Sequence, residues 1–391
     1  MNSTSIKLAR RMAHIEPFHV MSLLAQARDM EAQGRHVVHM EIGEPDFVTP
    51  EPVMRAAQQA LQQGHTHYTP AVGLSALRER IAGYYESQFN AAVNPEQVIV
   101  TPGASGALLL ALGVLVNPGD KVVLSDPGYP CNRHFVRMFE GEPVSVAVDA
   151  ATHYQLTVDE LNKAGIDPVT AVMLASPSNP TGTLLRPEEI DQWLALAQSR
   201  QTYLLMDEIY QGLVYGADNT TVAGKSDRTF VINSFSKYFC MTGWRLGWLL
   251  VPPGYEQHVN KLAQNIFLAP STLAQHAALA AFDPDTLAIL EQQRQQFQRR
   301  RDFLAAAIEE LGFRLLVQPE GAFYLYADCS QMTDDSFDFC HQLLTRGGVA
   351  ITPGKDFGAH KSEQYVRFAY TTSLDQLEEG VERIHRFLRQ I

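Results

Sequence analysis

Four groups of polar residues stand directly behind short apolar runs, and their types could do chemistry. The run Ala171–Ala175 is followed by Ser176-Pro177-Ser178-Asn179-Pro180-Thr181-Gly182, and 203–206 by Asp207-Glu208-Ile209-Tyr210. The run 230–233 is followed by Ser234-Phe235-Ser236-Lys237, and 98–100 by Thr101-Pro102-Gly103-Ala104-Ser105-Gly106 with an Ala-Leu helical run behind it. A glycine-rich turn that opens a helix presents unbonded backbone N–H groups at the positive end of the helix dipole, which suits a phosphate. Taken singly, each group also reads as an ordinary turn or helix cap. Their shared position is the signal.

In an open α/β sheet, residues just beyond the carboxyl ends of the strands converge on one crevice. The surrounding elements therefore decide whether the four groups meet. From about residue 50 to about 280, helical and strand patterns alternate, the mark of an α/β layer with a mostly parallel sheet. The apolar runs 98–100, 121–124, 171–175, 203–206, 230–233 and 246–251 are near-continuous, as strands covered by helices on both faces must be. Upstream, Val20, Leu23, Leu24, Ala27 and Met30 recur at helical spacing after Pro17, and Gly34 supplies a stop. Downstream, a polar helix is expected over about 291–311, with Phe297, Leu304, Ile308 and Leu311 as its apolar stripe and Gly312 as its end. The run Arg299-Arg300-Arg301 is expected on that helix's solvated side. Strand-like segments 322–327 and 366–368, with helices between, read as a smaller α+β unit. The expected division is a large domain over 50–285 and a small domain made of 1–49 and 286–391. The N-terminal segment joins the small unit because the large core begins only after the loop Ile42-Gly43-Glu44-Pro45-Asp46-Phe47.

In this order the groups resemble the class I/II aminotransferases, fold type I enzymes that use pyridoxal phosphate. The resemblance runs from Gly43-Glu44-Pro45-Asp46 through Tyr68-Thr69-Pro70-Ala71-Val72-Gly73 to Arg367. It is most specific in Ser234-Phe235-Ser236-Lys237 followed by Met241-Thr242-Gly243-Trp244-Arg245-Leu246-Gly247. The resemblance implies pyridoxal 5'-phosphate as cofactor and Lys237 as the lysine that joins it, then shuttles a proton between substrate Cα and cofactor C4′. Such an amine must lose its proton near neutral pH, which burial beside other cations achieves.

By the same resemblance, Asp207 partners the pyridine nitrogen and keeps the ring protonated, so that electrons flow into it. Asn179 and Tyr210 match the pair that hydrogen-bonds the phenolic oxygen. Gly103, Ala104, Ser105, Ser234, Ser236 and Arg245 match the partners of the phosphate. Tyr68 matches a tyrosine that reaches the neighbouring subunit's phosphate, which implies a homodimer with shared sites. Tyr129, in Asp126-Pro127-Gly128-Tyr129, matches the aromatic ring stacked on the pyridine. Arg367, in Tyr365-Val366-Arg367-Phe368, matches the arginine that grips the substrate α-carboxylate bidentately, with Asn179 and the Gly43 loop beside it.

The implied reaction moves an amino group from an L-amino acid to a 2-oxo acid, ping-pong, through pyridoxamine phosphate. The same fold hosts C–S β-lyases and cyclopropane-forming synthases, which share the cofactor residues. A cofactor-sensing regulator would need an added DNA-binding domain, for which the 50 or so residues ahead of the large core leave no room. The expected donor is neutral, aromatic or aliphatic, because a dicarboxylic donor needs a second cation for its distal charge. One bacterial group of aspartate aminotransferases carries a lysine for this purpose in the phosphate turn, and Ser105 stands at the matching place here. The stretch Asn265-Ile266-Phe267-Leu268-Ala269-Pro270 would suit an apolar side-chain pocket if it lines the site.

Composition agrees. The 391 residues exceed the usual single-core limit of about 250–300. A formal charge of −12 disfavours a polyanion or nucleic-acid partner. No stretch of about 18 apolar residues suggests a membrane span. Four cysteines without a C-x-x-C pair suit reduced thiols in the cytoplasm, although Lys7, Arg10 and Arg11 loosely suit a transit peptide. Gly224-Lys225-Ser226 is no Walker motif, because Asn219 occupies the place of its first glycine. His65-Thr66-His67 and His36-Val37-Val38-His39 lack the acidic or cysteine ligands that a metal site would need, so no metal is expected.

Overall fold

A computed structural model describes residues 6–390. Residues 1–5 and 391, which the expected small domain includes, lie outside the described residues. Seven strands form the main sheet, in the order Val98–Thr101, Gly247–Leu250, Thr229–Ser234, Tyr203–Asp207, Ala171–Ala175, Lys121–Asp126 and Glu142–Ala147. All neighbours are parallel except Gly247–Leu250, which runs antiparallel to the strands on either side.

Side-chain alternation splits each strand between two cores. Val123, Val172, Leu174, Leu204, Met206 and Val231 pack on one face with Trp193 and Leu77 from flanking helices. Val122, Met173, Leu205, Phe230 and Ile232 pack on the other, with Leu108 and Leu112 of the helix Gly103–Leu115. Apolar residues at both parities are what the near-continuous runs predict. The edge strand Glu142–Ala147 escaped that reading because only Val146 along it is buried.

A second, three-stranded sheet places Tyr365–Ala369 between Thr352–Pro353 and Tyr324–Asp328, antiparallel to both. Val38–His39 pairs in parallel with Val349–Ala350, so the N-terminal segment packs on the C-terminal part of the chain. The helix His19–Ala32 buries Val20, Leu23, Ala27 and Met30, while Leu24 stays partly exposed.

The long helix spans Pro284–Glu310, starting at a proline about two turns earlier than its polar pattern suggested, and buries Phe297, Leu304 and Ile308. Its arginine run departs from expectation. Arg299 is exposed, but Arg300 and Arg301 are buried. Arg300 makes a bidentate pair with Asp46, at 2.7 and 2.9 Å, and its guanidinium lies 4.9 Å from the Phe47 ring centroid. Arg301 packs over Tyr215 and donates to the Pro319 carbonyl at 3.0 Å. A planar guanidinium can be buried where a fork of acceptors and an aromatic face await it. Charge spacing along one helix could not reveal those partners.

Among the described residues, no helix is long and apolar enough to cross a membrane, and no group of three or more His, Cys, Asp or Glu could hold a metal ion.

Candidate active site

A cavity of about 420 Å³ opens at the carboxyl ends of the main-sheet strands. Its lining joins the four sequence groups to residues of the small sheet and the N-terminal segment.

Lys237 follows the strand Thr229–Ser234, and its Nζ donates to the Gly43 carbonyl at 2.5 Å. Burial lowers its pKa to about 8, the Arg367 and Arg245 guanidinium groups push the same way, and Glu44 and Asp207 partly oppose them. Asp207 ends the neighbouring strand and accepts from the Ile209 amide at 3.0 Å. Burial raises its carboxyl to about 6, against the amide bond and Lys237, which pull it down. A cationic partner at this carboxylate would restore its charged form. An amine poised to be neutral and an acid waiting for a cation share one cavity.

The turn ahead of the helix Gly103–Leu115 is closed by Thr101, whose hydroxyl donates to the Gly103 carbonyl at 2.8 Å. No side chain caps this helix, so its first amides remain available. Ala104 and Ser105 line the cavity, as do Ser234, Ser236 and Arg245. Gly103 lies just behind that lining; its φ is +69°, and a Cβ there would stand 2.8 Å from Arg245 Nη2. The Ser234 hydroxyl donates to Ser236 Oγ at 3.0 Å. These donors around one guanidinium can hold a phosphate.

Farther in, the buried Tyr210 and Tyr324 hydroxyls meet at 2.8 Å. Arg367, 3% exposed, donates from Nη1 to Asn179 Oδ1 at 2.9 Å and from Nη2 to the Glu41 carbonyl at 2.6 Å. Its guanidinium carbon lies 4.1 Å from the Tyr324 ring centroid. Nε is buried without a hydrogen-bond partner, although it carries a donor. A buried unsatisfied charged donor is costly unless an acceptor arrives. Tyr129 is half-buried at the cavity, with Phe18 edge-on to it at 6.4 Å between centroids. A pyridine ring bearing a phosphate and an aldehyde fits this donor set.

The Aminotransferase class I and II family model matches residues 35–384. The chain belongs to that family. It is similar to a valine–pyruvate aminotransferase of Mycobacterium tuberculosis, at 38% identity over 96% of this chain and 97% of that one. It is also similar to an aspartate aminotransferase of Bacillus subtilis, at 34% identity over 98% of this chain and 100% of the relative. A solved aminotransferase structure from Mycobacterium tuberculosis superposes with a TM-score of 0.95 at 37% identity, over 99% of this chain and all of that one. The protein is thus a fold type I aminotransferase, of a family that uses pyridoxal phosphate.

Two expectations for this aminotransferase lie apart from the cavity. Tyr68 is 83% exposed and is not part of the lining. The stretch from Asn265 to Pro270 is not part of it either; Ile266 and Leu268 there are exposed. The apolar wall comes instead from Phe18, Val20, Met21, Ile42 and Leu108. Of these, Val20 carried a sequence signal, as one member of a helical stripe. Tyr324 was also missed, since it sits in a strand read only as apolar. Its hydroxyl lies where a Cβ on Gly43 would be 1.8 Å away, which gives that glycine a local reason.

Proposed function

We propose that this aminotransferase transfers the amino group of a neutral, aromatic or aliphatic L-amino acid to a 2-oxo acid, in two half-reactions at one site. The observation that carries the donor preference is the census of cations in the cavity lining. They are Lys237, Arg245 and Arg367, and each has a task within this reading. A distal carboxylate would be buried here without its own cation from this chain, which is prohibitive. Phe18, Val20, Met21 and Ile42 offer an apolar surface instead.

In this reading Lys237, Asp207, Asn179, Tyr210, Ser234, Ser236, Arg245 and the turn Gly103-Ala104-Ser105 hold pyridoxal phosphate, with Tyr129 against its ring. The bound cofactor supplies an electron sink for the pair left when the substrate Cα loses its proton. Lys237 Nζ takes that proton, because the burial and neighbouring cations that lower its pKa to about 8 leave a substantial share of it neutral near that pH. Asp207, stripped of water, holds a proton on a ring nitrogen by its charge. Arg367 takes the α-carboxylate, and its free Nε supplies the second arm of a bidentate grip. Asn179 orients that guanidinium through Nη1.

Two further parts complete the reading. The segment 50–285 forms one body and 1–49 with 286–391 another, which closes on the substrate carboxylate through Arg367 and excludes water. Tyr68 reaches the site of a second copy, so the working unit is a homodimer.

A donor panel with 2-oxoglutarate as acceptor tests the preference. The expected order in kcat/KM puts phenylalanine, leucine or methionine above aspartate. Aspartate in first place would contradict it and require a cation from outside this chain's lining.

A further inference from the structure

The apolar wall depends on a helix that does not cap itself. Phe18 occupies the N-cap position of the helix His19–Ala32 and has no side-chain oxygen to offer its first amides. Asp356 supplies that acceptor from 337 positions later. Its Oδ1 accepts from the His19 amide at 2.8 Å and its Oδ2 from the Val20 amide at 2.8 Å. The side chain is 2% exposed. One carboxylate thus satisfies two of the helix's orphan donors and places its charge at the positive end of the dipole.

The loop that carries Asp356 reaches two more parts of the site. The next residue, Phe357, accepts from the Gly128 amide through its carbonyl at 2.9 Å, one residue before Tyr129. Its ring centroid lies 4.8 Å from the Arg367 guanidinium carbon. Two neighbouring residues therefore link the Phe18 wall, the Tyr129 turn and the carboxylate-binding arginine.

We propose that Asp356 is a positioning residue that sets the donor side-chain pocket by locking the N-terminus of the helix bearing Phe18, Val20 and Met21. It touches neither substrate nor cofactor. Its loss leaves the cofactor and α-carboxylate contacts in place but lets the wall withdraw. Donors with large side chains then lose packing, whereas alanine, which barely meets the wall, does not. This rests on the reading of the cavity as the amino-acid site and goes beyond it by naming what holds the wall.

The test compares wild-type, Asp356→Asn and Asp356→Ala holoenzymes by steady-state kinetics and by hydrogen exchange of the 18–24 segment. A helix cap of this kind corresponds to an effect of roughly fivefold to tenfold. In Asp356→Ala, KM for phenylalanine should rise by about that factor, KM and kcat for alanine should stay within about twofold, and the 18–24 amides should exchange faster. Asp356→Asn keeps one acceptor and should fall between; it decides alone if Asp356→Ala does not fold. Equal losses for phenylalanine and alanine, or unchanged exchange in the segment, would overturn the proposal. A wild-type enzyme that turns over neither donor would instead overturn the reading of the cavity, and the exchange measurement would still judge the lock.

Discussion

Arg367 Nη1 donates to Asn179 Oδ1 at 2.9 Å, joining the middle strand of the small sheet to the loop behind a strand of the main sheet. The arginine proposed to receive the substrate carboxylate is therefore already aimed by a residue that lines the same cavity. Its Nη2 is held by the Glu41 carbonyl, and only Nε remains without a partner.

Removing that arginine should weaken donor and acceptor alike, because both carry a carboxylate. Arg367→Ala is expected to lower kcat/KM for both substrates by roughly a hundredfold, the scale of about 3 kcal/mol for a lost charge-assisted contact. Arg367→Lys should recover little, since an ammonium cannot reproduce the fork held by Asn179 and Glu41. Full recovery with lysine would show that only the charge matters.

The Lys237 amine sets a pH dependence that can be followed without turnover. Its pKa is lowered to about 8, chiefly by burial and then by Arg367. The neutral amine is the form that attacks the cofactor aldehyde, so capture of added pyridoxal phosphate by the stripped protein should speed up as pH rises through about 8. Arg367→Ala removes a cation that disfavours the ammonium, so the midpoint should move upward. Growth of the visible absorbance band measures both. A midpoint near that of an ordinary lysine in the unaltered protein would refute the depressed amine.

Sharing across a dimer has a genetic test. In a hybrid of a Tyr68→Phe chain with a Lys237→Ala chain, sharing gives one site with neither lesion and one with both. Turnover of the hybrid at half the wild-type rate supports sharing. Kinetics that follow each chain's own genotype argue that Tyr68 serves its own subunit.

The Arg300–Asp46 pair anchors the Gly43 loop to the long helix. Arg300 is buried but a third of the Asp46 side chain reaches water, so loss of the pair and of the guanidinium packing should lower stability by about 1–2 kcal/mol in Arg300→Ala on denaturant unfolding. A change within about 0.5 kcal/mol would mean the pair contributes little beyond its own desolvation.

Much of this site was legible because its chemistry sits where strands end. Asp207 and Lys237 each follow a buried apolar run, and neighbouring parallel strands bring such residues side by side whatever the details of packing. Other parts carry no local mark. Tyr324 acts through hydroxyl contact with Tyr210, 114 residues away, and Asp356 through amides 337 and 336 residues away. Val20 satisfies the helical spacing of a buried residue and also lines the cavity, and spacing alone cannot separate the two uses. Arg300 and Arg301 looked solvated because their acceptors and aromatic faces come from distant segments.

In the proposed cycle Lys237 moves the proton of each half-reaction, and the enzyme would hold the amino group on its cofactor in between. Mixing holoenzyme with excess L-phenylalanine and no acceptor isolates the first half. About one equivalent of 2-oxo acid per site is expected, with no ammonia or side-chain fragment, and production should resume once 2-oxoglutarate is added. In Lys237→Ala the single equivalent should not form. Continued product without acceptor, or released ammonia, would contradict transamination and favour an eliminating enzyme on the same fold.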